Sequence, residues 1–182
     1  MSGFTLVELV AAMTIAAILV AIAAPSFRYV TTSNRVAGEI NGLLGDMQYA
    51  RSEALKEGQI VTICSSTDGA TCGNTAWDKG WIVFSDPNAA KTGAPGGQAL
   101  RVQKAFLGGD TLQLDNGTQA ITFNREGFAQ EPMNVAPAAA ITATLHDKTN
   151  NPSRTRCLVI TAGRITTELP GPASATQLTA CQ

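Results

Sequence analysis

From Phe4 to Ala24 the chain reads FTLVELVAAMTIAAILVAIAA, an apolar run whose single ionisable side chain is Glu8. A helix needs about 20 apolar residues to cross a hydrocarbon core, and this run meets that length. A cleaved secretory signal has a shorter apolar region behind a basic start. Here only Met1, Ser2 and Gly3 precede the run, and none is charged. The segment therefore reads as a membrane anchor at the head of the chain. A buried carboxylate in such a segment costs several kcal/mol when ionised and unpaired, so Glu8 calls for a compensating partner.

The pattern beyond the run remains helical. Pro25 removes a backbone donor and is expected to kink the helix. Val36, Ile40, Leu43, Met47, Ala50 and Ala54 then recur at steps of three and four, the stripe of an amphipathic helix. Arg35, Glu39, Asp46, Arg51 and Glu53 fall largely off that stripe. Gly58 suits a left-handed helix end, with Lys56 in the last turn. The first half of one long helix thus suits lipid, and the second half suits packing on a sheet.

After Gly58 the period changes to that of strands. Strands are expected at Ile60–Cys64, Gly80–Ser85, Leu100–Phe106, Thr111–Leu114, Ala120–Asn124, Ile141–Leu145, Cys157–Thr161 and Ile165–Thr167. Ser65–Lys79 and Asp86–Gly97 read as loops. Asp115-Asn116-Gly117 reads as a turn between Thr111–Leu114 and Ala120–Asn124. The tail from Pro170 to Gln182 reads as irregular. The fold class is α+β: a long N-terminal helix, transmembrane in its first half and amphipathic in its second, packed on an antiparallel β-sheet domain. The expected organisation is a residual leader at 1–3, an anchor helix at 4–30 and a head domain at 31–182.

With 13 basic and 14 acidic residues and a net charge of −1, no basic stripe invites nucleic acid on electrostatics alone. Cys64, Cys72, Cys157 and Cys181 form no C-x-x-C, and the lone His146 has no ligand-spaced companion, so no zinc site is indicated. For a domain outside the cytoplasm two disulfides are the natural reading. Three pairings are formally open. Cys64–Cys72 with Cys157–Cys181 is favoured because each closes one local loop, and buried free thiols are the alternative. Asp110, Asp115 and Asn116 match no calcium loop, no phosphate-cradling glycine motif occurs, and His146 lacks a triad context. The chain reads as a non-enzyme with no cofactor and no metal.

Gly3-Phe4-Thr5-Leu6-Val7-Glu8 resembles the processing site of type IV prepilins, G|F-T-L-x-E. The resemblance implies cleavage after Gly3 by a prepilin peptidase and methylation of the new N-terminal Phe4. Pro25 falls where pilins commonly kink. Asp46-Met47-Gln48-Tyr49-Ala50-Arg51-Ser52-Glu53-Ala54 is similar to the D-x-x-x-A-R-S-E-A helix end of the GspH/FimT family, and Trp77, Gly80-Trp81-Ile82-Val83-Phe84, Cys157 and Gly163-Arg164 continue that likeness. The resemblance implies a minor pilin or minor pseudopilin held in the bacterial inner membrane, its head in the periplasm. It implies later entry into a type IV pilus or a type II secretion pseudopilus, at the tip or in an initiation complex. Implied partners are other pilins or pseudopilins through the N-terminal helix, the peptidase and an inner-membrane assembly platform. In this reading Glu8 pairs with the new amine of a neighbour. Some FimT-type members bind DNA through a C-terminal G-R-x-R. Here Gly163-Arg164-Ile165-Thr166 lacks the second Arg, and Arg154 and Arg156 are the candidates to replace its charge beside Arg164, which gives DNA binding as the alternative.

Overall fold

The computed structural model describes residues 3, 5–73, 75–88, 90, 92–94, 99–130, 140–161 and 163–169. Phe4, Cys181 and the tail from residue 170 onward lie outside them. The chain divides into two units, Met1–Arg35 and Val36–Gln182. One helix, α1, runs from Leu6 to Glu57. It continues through Pro25 without a break. It stops at Gly58, whose φ of 64° is the left-handed conformation that glycine adopts without a Cβ clash.

Among the described residues nine strands follow: β1 (Val61–Ser65), β2 (Gly80–Ser85), β3 (Arg101–Lys104), β4 (Thr111–Leu114), β5 (Ala120–Phe123), β6 (Ala129–Gln130), β7 (Ile141–His146), β8 (Arg156–Ile160) and β9 (Ile165–Glu168). They form two antiparallel sheets, ordered β3-β2-β1-β5-β6 and β4-β7-β8-β9. The expectation of one sheet is thereby refined to two. Val36, Ile40, Leu43, Met47, Ala50 and Ala54 are all at most 2% exposed and share one core with residues of both sheets. The stripe read from sequence is the face that α1 buries.

Strand β2 shows why GWIVFS has no polar face. Trp81 and Val83 point into the helix-side core, while Ile82 and Phe84 join Cys64 and Ala120 in a second cluster on the other face. Cys72, Ala94 and Ala99 pack on that second cluster. A strand buried on both faces reads as a continuous apolar run.

The strands on either side of Asp115-Asn116-Gly117 do not pair with each other. The chain does turn there, in a short 3-10 helix over Asp115–Gly117. But β4 pairs with β7 and β5 pairs with β1, in different sheets. Side chains around the turn hold the crossover. The Asp115 carboxylate accepts the Thr142 amide of β7 at 3.0 Å, and the buried Trp77 indole donates to the Thr118 carbonyl at 2.8 Å. Trp77 itself sits in a 3-10 helix, Trp77–Lys79, inside what reads from sequence as a polar loop. The two-residue strand β6 was also not legible, since it is too short to display a period.

Candidate assembly site

Within the first unit, Thr5 caps the helix. Its hydroxyl accepts the Glu8 amide at 3.3 Å, and its carbonyl accepts the Leu9 amide at 3.2 Å. An N-cap hydroxyl satisfies one of the four amides that have no intrahelical partner. Glu8 thus stands in the first helical turn, where the helix dipole favours negative charge. Thr5 was not singled out from sequence, although T-x-x-E ahead of an apolar run is the capping-box signal.

The most apolar 18-residue window of α1 has a mean hydropathy of 2.6 and is 0% buried. Leu6, Val7, Met13, Leu19 and Ile22 are each more than 60% exposed. Polar side chains in this unit turn back on their own helix: Thr14 donates to the Ala11 carbonyl, and Thr31 to those of Phe27 and Arg28. Apolar surface left open on all sides of a helix is what a lipid or helical environment would cover. Of the expected processing pair, Gly3 is exposed, and Phe4 lies outside the described residues.

In the second unit, Cys64 and Cys72 form a disulfide with a Cα–Cα distance of 5.6 Å, as favoured from sequence. Cys157 is also disulfide-bonded, and its expected partner Cys181 lies outside the described residues. The Cys64–Cys72 loop is organised around Asp68. Its carboxylate accepts the hydroxyl of Thr71 and the amides of Thr71 and Ala70, and receives the Ser66 hydroxyl. These bonds, the Thr71 hydroxyl foremost, hold the Asp68 carboxyl well below the usual carboxylate range. A depressed carboxyl contributes stability that is full above the unfolded value of about 4 and is lost as the pH falls below it. Thermal unfolding of the wild type should therefore drop on acidification below about pH 4. Asp68→Asn should flatten that part of the profile, while starting from a lower Tm at neutral pH.

The three arginines considered for DNA are not brought together. Arg154, 13% exposed, binds Asp147 at 2.8 Å and the Thr149 hydroxyl at 2.7 Å. Burial pushes the Asp147 carboxyl up, but the Asn151 amide, the Thr149 hydroxyl and the Arg154 guanidinium outweigh it and hold the group low. Arg156 donates to the Thr155 and Ser153 carbonyls. Arg164 is exposed in the turn beyond the Ile160–Ile165 pair, whereas Arg156 opens β8 opposite Leu145. Four strand residues separate those ends, roughly 13 Å at 3.3 Å per residue. Arg154 is thus paired with a buried aspartate, and Arg156 stands at the other end of β8 from the Arg164 turn.

His146 Nδ1 lies 3.1 Å from the Thr155 hydroxyl, a strand contact. Asp110 accepts the Lys148 amide and Asp115 that of Thr142, so the two carboxylates hold different segments. Among the described residues no group of three or more His, Cys, Asp or Glu is placed to hold a metal.

The family model described as type II transport protein GspH matches residues 39–163. The prokaryotic N-terminal methylation motif matches residues 1–24. No curated protein matches the chain. Among solved structures, the type IV minor pilin FimU of Pseudomonas aeruginosa is similar with a TM-score of 0.54 and 24% identity, covering 81% of this chain and 92% of that one. The minor pseudopilin EpsH from the Type 2 Secretion System of Vibrio cholerae is similar with a TM-score of 0.53 and 12% identity, covering 76% of this chain and 99% of that one. At these identities the likeness is one of fold.

Proposed function

Because the chain belongs to the type II transport protein GspH family and opens on the N-terminal methylation motif, we propose that it is a minor subunit built into a type IV pilus or a type II secretion pseudopilus. The observation that carries this reading is Glu8. It is the single acid in the apolar run from Phe4 to Ala24, in a stretch of α1 whose most apolar part is 0% buried. Inside a membrane an ionised, unpaired carboxylate costs several kcal/mol, more than the roughly 0.3–1 kcal/mol that the helix dipole returns in the first turn.

In this reading a prepilin peptidase cleaves after Gly3, and Phe4 becomes the N-terminus. Cleavage creates a cation at the end of the helix where Glu8 stands. Within one copy, the residue spacing and the Thr5 cap commit that end to the helix start. Between stacked copies, the amine of one meets the carboxylate of the next, and the pair sets the axial register. Residues 4–30 serve first as the inner-membrane anchor and then as filament core. Ala11, Ala12, Ala16 and Ala17 let neighbouring helices approach closely. Residues 31–182 form the head, displayed in the periplasm until an assembly platform draws the subunit into the filament. The role is structural, without catalysis.

Mass spectrometry of the N-terminus, after expression with a prepilin peptidase, tests the reading. The expected mature chain begins at Phe4, with or without one added methyl group. A chain that retains Met1–Gly3 under those conditions overturns it. Neighbouring genes separate the two systems: a secretin with a secretion ATPase and secreted hydrolases marks the pseudopilus, and a minor-pilin cluster marks the pilus.

A further inference from the structure

The face of the first sheet opposite the helix-side core is apolar at its centre and is covered by loops. Cys64 stands between Ile82 of β2 and Ala120 of β5. With Phe84 these residues form the second cluster, and none is more than 9% exposed. Among the described residues, those packed on the cluster from outside are Cys72, Ala94 and Ala99. Cys72 lies in the loop after β1, and Ala94 and Ala99 lie in the loop after β2.

The two loops are attached in series. Cys72 is bonded to Cys64, eight residues away. Beside it Thr71 bridges Gly93: the Cys72 amide donates to the Thr92 carbonyl at 3.1 Å, and the Ala94 amide donates to the Ala70 carbonyl at 2.9 Å. Gly93 has a φ of 135°, and a Cβ there would lie 2.7 Å from both the Ala70 oxygen and the Thr71 Cα, so glycine is what permits this approach. Ser65 accepts the Gly73 amide at 2.8 Å and donates its hydroxyl to the Gly73 carbonyl at 2.7 Å, which secures only the far end of the first loop. Among the described residues the disulfide is the one covalent cross-link between this outer layer and the strands beneath it.

We propose that the Cys64–Cys72 bond is a redox clasp: on reduction, segments 66–73 and 92–94 lift together and uncover Ile82 and Phe84, while the helix-side core stays folded. A dithiol reductant attacks the sulfur of Cys72, the partly exposed member of the pair. Its second thiol then releases Cys72, and the reductant leaves as its own disulfide. The two electrons end on Cys64 and Cys72, which take up the two protons that the reductant gives up. Full ladders from β1 to β2 and β5 do not involve the loops, and Ile63, Trp81, Val83 and Ile121 remain packed under α1. The head thus has a closed outer face only where disulfides persist, so oxidation is the step that finishes it. A disulfide that closes a loop of this length restrains opening by roughly 50- to 100-fold. The inference does not depend on filament entry.

The test places full-length Cys72→Ala in nanodiscs beside the wild type. This variant leaves Cys64 as a small buried thiol and spares the disulfide of Cys157. Hydroxyl-radical modification of Phe84 is compared with that of Trp81, which is equally buried at 1% exposure on the opposite face of the same strand. Amide exchange across 66–73 and 92–94 should accelerate about 50-fold, and modification of Phe84 should rise with it. Trp81 and the stripe from Val36 to Ala54 should stay as in the wild type. Dithiothreitol should produce the same change in the wild type, and reoxidation should reverse it. Gly93→Ala, with the disulfide intact, should free 92–94 and leave 66–73 protected, because it breaks only the second link. Phe84 staying protected in Cys72→Ala overturns the clasp. A matching rise at Trp81 overturns it too, because the bond would then staple the whole core. Equal release of both segments in Gly93→Ala overturns the order of attachment on which the clasp depends.

Discussion

Replacing Glu8 with alanine should leave the protein in the membrane with its head folded and, on the proposed pairing, should remove it from filaments. The anchor becomes more apolar, so insertion is retained. The head is untouched, because Glu8 belongs to the separate Met1–Arg35 unit. On the proposed pairing, the loss falls on the contact between copies. A charge-assisted bond in a poorly solvated setting contributes about 1.5–3 kcal/mol, which corresponds to roughly 10- to 100-fold in incorporation. Glu8→Gln should fall nearly as far, since the amide can bond but carries no charge. Immunoblots of sheared filaments against the membrane fraction give the comparison. Normal entry of Glu8→Ala would remove the pairing role.

Replacing Trp81 with alanine should cost the head about 4 kcal/mol, the largest stability loss expected from a single side chain here. Trp81 is 1% exposed. Its ring lies 6.4 Å from that of Trp77 and meets the Phe106 ring edge-on at 5.8 Å. Its indole N–H donates to Asp46 at 2.9 Å. The other oxygen of Asp46 binds Arg101 at 2.9 Å, and that guanidinium lies 4.1 Å over the Tyr49 ring. Removing the indole therefore leaves a cavity and deprives a largely buried carboxylate of a donor. Trp81→Phe keeps most of the packing and loses the bond, so it should cost about 1–2 kcal/mol. Thermal unfolding of the full chain in detergent should show a Tm lowered by roughly 10 °C for alanine, and by a third of that for phenylalanine. Equal losses for both variants would mean that the Asp46 bond, and not the packing, holds this corner.

The architecture also explains where a substitution would be tolerated. Polar clusters in the head work as local clasps: Asp147 gathers Thr149, Asn151 and Arg154, and Asp68 gathers Ser66, Ala70 and Thr71. Each ties a loop to itself, so its loss loosens one loop. Asp46 and Trp81 instead join the helix to the first sheet, and Arg51 joins it to the turn of the second. Those links cross between elements, and their loss propagates.

Local pattern alone determined the membrane-length helix, the lone acid in it, the buried stripe from Val36 to Ala54, the Gly58 stop and the positions of eight of the strands. Each depends on a period, a length or a backbone preference that neighbouring residues express without help. The sequence could not reveal which strands pair. A turn such as Asp115-Asn116-Gly117 bends the chain equally well within one sheet or between two, and the choice followed from Asp115 reaching Thr142 and Trp77 reaching Thr118. The fate of the arginines was decided in the same way. Their charge is local, but whether Arg154 meets solvent or Asp147 depends on segments that meet only once the sheets close over the helix, where burying an unpaired carboxylate would cost more than spending an arginine on it.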